Sequence, residues 1–211
     1  MTSGRFITLE GGEGVGKSTQ ARMLSEALIT RGLGVLLTRE PGGTPGAEAI
    51  RKLLLDTQFN WDARAEALLF AAARSDHVDH AIRPALDRGE WVVCDRFIDS
   101  SRAYQAGGGN SSDDAILAMH TIGSHGLMPD VTFLLVAETP EISARLAARD
   151  GDNQDRIGGK PEAYHGRVET RFRDLAAMDA KRFVLIDASG SPAEVHGRIM
   201  EAMEPLLGEG G

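Results

Sequence analysis

The chain has 211 residues, 42% of them hydrophobic, enough to bury a full core and sized for a single domain over 1–211. Its net charge of −8 argues against a general binder of nucleic acid or of a membrane surface, either of which wants a basic field. The single Cys94 excludes an intrachain disulfide, and the first residues hold no basic segment followed by an apolar signal stretch; a cytoplasmic protein is the expectation.

A short apolar run at 5–9 predicts the first strand. Residues 11–18 then read Gly-Gly-Glu-Gly-Val-Gly-Lys-Ser and fit G-x-x-x-x-G-K-[ST]. Glycines let the backbone curl so that successive N–H groups face phosphate oxygens. Lys17 can reach the β- and γ-phosphates, and the Ser18 hydroxyl can ligate Mg²⁺. Helix-period apolar residues follow over 17–31, so the helix N-terminus adds its positive dipole end to the cradle. A dinucleotide fingerprint fits poorly, because Lys17 stands where its third glycine belongs.

Further strands are expected at 35–38, 91–95, 131–136 and 182–186, as near-continuous apolar runs covered on both faces. Helices are expected at 45–55, 63–88, 112–122, 141–149, 162–179 and 193–207, with Pro84 kinking or ending the long third one. Gly32 and Gly89 follow helices, and Pro140 and Pro192 stand near helix starts. The Gly- and Ser-rich stretch 106–113 reads as an ordered surface loop, and 150–161 as a polar loop between helices. The alternation predicts a mostly parallel sheet with right-handed crossovers. Together with the phosphate loop, the expected fold class is α/β, the three-layer α/β/α arrangement of a P-loop NTPase with a five-stranded parallel sheet, and the arginines near 150–161 make that stretch a candidate short lid.

Ligands of open α/β sheets sit beyond the carboxyl ends of the strands. There the second strand delivers Arg39-Glu40-Pro41-Gly42-Gly43-Thr44, and the third delivers Asp95-Arg96-Phe97 with Ser100, Ser101, Tyr104 and Gln105. Asp95 suits a Mg²⁺-water ligand, and Arg39 with Arg96 suits a second anionic group opposite the triphosphate. Phe70 and Arg74, one helical turn apart, could stack on a nucleobase and bond its edge; periodicity alone favours Phe70 in the core beside Leu68 and Leu69, with Arg74 solvated. Asp76, His77, Asp79 and His80 resemble a metal cluster but read better as a wet helix face. Glu13 is odd inside an anion cradle and is expected to point toward a sugar hydroxyl or an arginine. Because the loop has no cation besides Lys17, the arginines at 145–156 are candidates to neutralise the transferring group.

These motifs resemble thymidylate (dTMP) kinases over nearly the whole chain. The resemblance is carried by Glu10 through Thr19, by Thr38-Arg-Glu-Pro-Gly-Gly-Thr44, Leu53-Leu-Leu55, Phe70-Ala-Ala-Ala-Arg74 and Asp95-Arg-Phe97. Ser101-Arg-Ala-Tyr-Gln105, Pro129-Asp130 and Asp155-Arg-Ile157 complete it. It implies transfer of a phosphoryl group from MgATP to dTMP, with another monophosphate such as dUMP or UMP as the alternative acceptor. By that resemblance Gly11, Gly12, Glu13, Gly14, Val15, Gly16, Lys17, Ser18 and Thr19 hold ATP, and Ser18 and Asp95 serve Mg²⁺. Phe70 stacks on thymine, Arg74 bonds its edge, Ser101 lies near the ring nitrogen and Tyr104 packs on the deoxyribose. Arg39 and Arg96 hold the acceptor phosphate, with Glu13, Pro41, Asp95 and Gln105 in the same pocket. Lys17, Arg96, Arg149 and Arg156 act on the transferring group in this reading, and a homodimer is implied. Phe97, Arg102 and Gly158 depart from the family pattern. A guanine switch would need Asn-Lys-x-Asp, and Asn precedes none of the four lysines.

Overall fold

The structure, a computed structural model, describes residues 4–137 and 156–208. The expected helix at 141–149, and Arg149 with it, lie outside the described residues. Five parallel strands, β1 (Phe6–Glu10), β2 (Val35–Arg39), β3 (Trp91–Asp95), β4 (Val131–Val136) and β5 (Phe183–Asp187), are ordered β2-β3-β1-β4-β5. The helices are α1 (Lys17–Thr30), α2 (Pro45–Leu55), α3 (Ala63–His77), α4 (Arg83–Asp87), α5 (Ile98–Ser101), α6 (Asp113–Ser124), α7 (Glu162–Met178) and α8 (Pro192–Gly208). Among the described residues no helix is long and apolar enough to cross a membrane.

Alternation along the strands splits the core. Ile7, Leu9, Val93, Phe133 and Leu135 face one way, onto Leu24 and Leu28 of α1 and Val195, Ile199 and Met203 of α8. Phe6, Val92 and Cys94 face the other way, onto Val78, Ile82, Phe97, Ile98 and Ile116. Leu134 shares a third cluster with Tyr104, Tyr164, Val168 and Phe172. The central strands are covered on both faces as expected, whereas the edge strands leave Leu37 and Leu185 exposed. Thr44 caps α2 by accepting the Ala47 N–H at 3.2 Å, just before Pro45 at the first helical position.

Two expected elements take different forms. The long third helix widens into a π-helical turn at Val78–Ile82 before α4, where the ring of Pro84 cannot supply an N–H to the regular ladder. The expected loop from 106 begins as the end of a π-helical stretch, Arg102–Gly108, that continues α5 under α7. A side chain at Gly108 would collide with Tyr164 and Val168, so glycine is what permits this close packing. Within the second core Cys94 is fully buried, and its Sγ donates to the Arg96 carbonyl at 3.0 Å.

Candidate active site

Parallel register aligns the catalytic edge. Leu9 stands opposite Asp95, and Asp95 opposite Arg39, so the chain leaves β1, β3 and β2 at one level. Gly11 (φ +133°) and Gly16 (φ +95°) allow the loop after β1 to curl, and a Cβ on Gly11 would strike the Leu135 carbonyl. Lys17 folds back to donate to the Gly12 carbonyl. Burial, with Arg96 nearby, brings the Lys17 amine down to about 8 against the pull of Glu13, Asp95 and Glu10.

The Ser18 hydroxyl donates to Asp95 Oδ2, while the buried Asp95 Oδ1 has no hydrogen-bond partner among the described residues. A hydroxyl and a carboxylate with a spare oxygen are hard donors that fit Mg²⁺, which takes few protein ligands and completes its shell with phosphate and water. These residues therefore suit the ion the sequence implies.

Arg96 joins the two halves of the site. It adopts φ +71°, a left-handed backbone costing roughly 1–3 kcal/mol for a non-glycine residue. That turn is held from beneath by Glu10, whose carboxylate accepts the N–H groups of Phe97 (2.8 Å) and Ser100 (3.2 Å) and the Ser100 hydroxyl (2.6 Å). Burial and the nearby Asp99 push the Glu10 carboxyl up to about 7, opposed by the Ser100 hydrogen bond. The Arg96 guanidinium donates to the Gly11 carbonyl and Ser100 Oγ at 3.0 Å each, to Tyr104 Oη at 3.1 Å and to Glu13 at 2.7 Å. Glu13 thus finds the arginine that its sequence position called for.

A cavity of about 580 Å³ runs from Lys17, Ser18 and Thr19 past Arg96 to Phe70 and Arg74. Glu13, Gly14, Arg39, Pro41, Asp95, Ser101, Tyr104 and Gln105 also line it, and Val15 is buried beneath. Phe70 is half-buried on the cavity wall and Leu68 is exposed, so the core reading of this segment is corrected. Arg74 is not solvated. It pairs with Glu40 at 2.7 Å and donates to Ser101 Oγ (2.9 Å) and the Phe97 carbonyl (3.1 Å). Nor is His77 on a wet face: fully buried, it bridges Thr38 Oγ1 (2.7 Å) and Glu40 (3.0 Å), while His80 is exposed.

Arg39 reaches the cavity from an exposed pair with Glu48 at 3.0 Å. Arg156 pairs through Nη1 with Glu66 at 2.7 Å and donates from Nε to the Leu54 carbonyl at 2.8 Å, while its buried Nη2 has no hydrogen-bond partner among the described residues. Two of the unusual residues are engaged within the fold, although Phe97 also lines the cavity. Phe97 packs edge-on against Phe6 and His120, and Arg102 pairs with Asp113 at 2.8 Å and Asp99 at 3.4 Å. Sequence reasoning missed Arg51 and Leu55, which line the cavity one helical turn apart on α2. Their shared stripe, beside the core residue Leu54, was the available signal. It listed Glu40 at a strand end without a role of its own and missed Glu66; no periodicity announces the burial of either.

A P-loop on a parallel sheet, opening into a pocket with an aromatic wall, a buried Arg74 and a half-buried Arg96, defines the class as a P-loop phosphotransferase. The family model described as thymidylate kinase matches residues 9–199. The chain is 56% identical to the thymidylate kinase of Rhizorhabdus wittichii, over 97% of this chain and 99% of the relative. It is 50% identical to that of Gluconobacter oxydans, over 97% and 96%. The crystal structure of thymidylate kinase from Ehrlichia chaffeensis superimposes with a TM-score of 0.78 at 31% identity, covering 96% of this chain and 99% of that one. The chain belongs to the thymidylate kinase family.

Proposed function

We propose that the protein transfers the γ-phosphoryl group of ATP to the phosphate of dTMP, giving dTDP and ADP. One observation carries this reading: a single cavity joins the phosphate loop to the Phe70–Arg74 pocket, with Arg96 bonded to both sides. Phe70 supplies a stacking face for the base, and Arg74, fixed by Glu40 and Ser101, supplies donors for its edge. Tyr104, on the cavity wall, would pack on the deoxyribose.

The acceptor oxygen is already anionic, so positioning and charge neutralisation suffice for the chemistry. Lys17 and the loop amides take the β- and γ-phosphates of ATP. Ser18 and Asp95 would hold Mg²⁺, which would supply charge neutralisation at the phosphate oxygens. Arg96 and Arg39 hold the acceptor phosphate. Drawing Arg39 off Glu48 costs little, because an exposed pair is worth about 0–1 kcal/mol. Arg149 is assigned to the transferring group.

The family assignment gives no support to the UMP or dUMP alternative, and the thymine methyl should contribute about 1–3 kcal/mol of discrimination. ADP release, measured with dTMP, dUMP, UMP and AMP, tests the reading; dTMP should give the highest kcat/KM, and a preference for UMP would refute it. We place the enzyme in the cytoplasm as a homodimer. Leu68 on α3 and Ile122 on α6, at 58% and 82% exposure on helices that pack together, leave apolar surface for a second copy.

A further inference from the structure

Glu66 takes no part in the phosphate chemistry, yet three donors from two distant stretches of chain converge on its carboxylate, which is 5% exposed. Gln105 Nε2 donates to Oε1 at 3.0 Å, Arg156 Nη1 pairs with Oε2 at 2.7 Å, and Lys160 Nζ lies 3.3 Å from Oε2. Burial alone would raise this carboxyl, but the Gln105 hydrogen bond and the charges of Lys160 and Arg156 bring it below its ordinary value. Glu66 is therefore a buried anion whose cost is offset only while these partners stay in place.

Those partners are parts of the nucleobase pocket or of its supports. Glu66 sits one turn before Phe70 on α3. Gln105 lines the cavity beside Tyr104. A carboxylate only accepts, so Gln105 must turn its NH₂ end toward Glu66, which fixes the amide's orientation. Arg156 and Lys160 flank Ile157, a buried cavity residue, and Arg156 also ties this stretch to the end of α2 through the Leu54 and Leu55 carbonyls. Lys160 lies 4.5 Å over the ring of Tyr164, whose hydroxyl donates to the Tyr104 carbonyl at 3.0 Å.

We propose that Glu66 is a positioning residue for the acceptor: it docks Arg156 and Lys160 so that Ile157 and Gln105 complete the wall against the base. The proposal rests on the acceptor reading of the cavity. Arg156 is then a strut of the pocket, and its loss acts through substrate affinity rather than at the transferring group.

The test uses Glu66→Gln, Arg156→Ala, their double variant and the conservative Arg156→Lys in the full chain. Each of the first two should raise the KM for dTMP about tenfold, the loss expected for a hydrogen bond to a charged group, with kcat and the KM for ATP nearly unchanged. The double variant should be little worse than either single one, and Arg156→Lys should recover part of the affinity. Amide hydrogen exchange, measured without nucleotide, should quicken at Arg156 and Lys160 in Glu66→Gln, with the β-sheet amides still protected. Unchanged exchange with unchanged dTMP affinity in that variant would overturn the proposal. So would an Arg156→Ala enzyme that lost kcat at an unaltered KM for dTMP. A wild-type protein without affinity for dTMP would overturn the acceptor reading instead, and the nucleotide-free exchange result separates the two failures.

Discussion

The Arg96 guanidinium and the Glu13 carboxylate meet at 2.7 Å across 83 residues of chain, placing a cation and an anion side by side between the phosphate loop and the pocket. Removing the cation strands Glu13 beside incoming phosphates. Arg96→Ala should lower kcat/KM for dTMP by about 10²–10³, the loss typical of a preorganised donor to developing charge. Glu13→Gln should be milder, because Arg96 keeps Gly11, Ser100 and Tyr104. Steady-state kinetics with dTMP varied at saturating ATP checks both, and an Arg96→Ala enzyme of normal efficiency would remove Arg96 from the site.

Lys17 makes ATP binding depend on pH. Its amine is brought down to about 8 by burial and by Arg96, so the free protein loses this charge as pH rises through that value. A bound triphosphate favours the ammonium and raises the pKa, so binding above about 8 must take up a proton, and affinity must fall as pH rises. Calorimetry of an ATP analogue about one unit above that pH should show proton uptake through the buffer dependence of the heat. Lys17→Met should abolish it, and a wild-type signal independent of buffer would contradict the assignment.

Phe70→Ala should separate the two substrates. Loss of one base–aromatic stack is worth about 1–3 kcal/mol, so dTMP affinity should drop roughly 5- to 150-fold. The phosphate loop is left intact, so ADP affinity should hold. Equal weakening of both ligands in binding titrations would argue that Phe70 supports the fold rather than the base.

Asp99 bears on stability. It is fully buried, within 3.1 Å of Arg182 Nη2 and 3.4 Å of Arg102. Arg102 retains Asp113, whereas Arg182, itself 8% exposed, keeps among the described residues only the half-exposed Asp179 as an acidic partner. Asp99→Ala should cost about 3–5 kcal/mol, as breaking a buried pair does. Urea unfolding should show a lower midpoint at an unchanged slope; a midpoint within error of wild type would mean that Arg182 finds other partners.

Most of the scaffold was readable from residue patterns because its signals are local. The runs at 91–95 and 131–136 are strands from end to end, and Thr44-Pro45 opens α2 where cap and ring geometry place it. The phosphate loop was legible for the same reason, since eight consecutive residues carry its chemistry. The failures are long-range. Helical periodicity could not tell that His77 is sealed under the Thr38 and Glu40 side chains, because those contacts cross from another element. Arg74 read as solvated for the same reason; its partners Glu40 and Ser101 lie 34 and 27 residues away. Glu66 beside Arg156 is equally invisible to any local rule, because the two lie on separate elements.

The buried Cys94 leaves the chain without an accessible thiol. Its ionisation is pushed well above the ordinary range by enclosure and by Glu40, and alkylating reagents act on thiolates. Modification under native conditions must therefore wait for the central sheet to open, making the rate of labelling a clock for global unfolding. A cysteine placed elsewhere on the surface could carry a fluorophore or spin label with the natural one left in place.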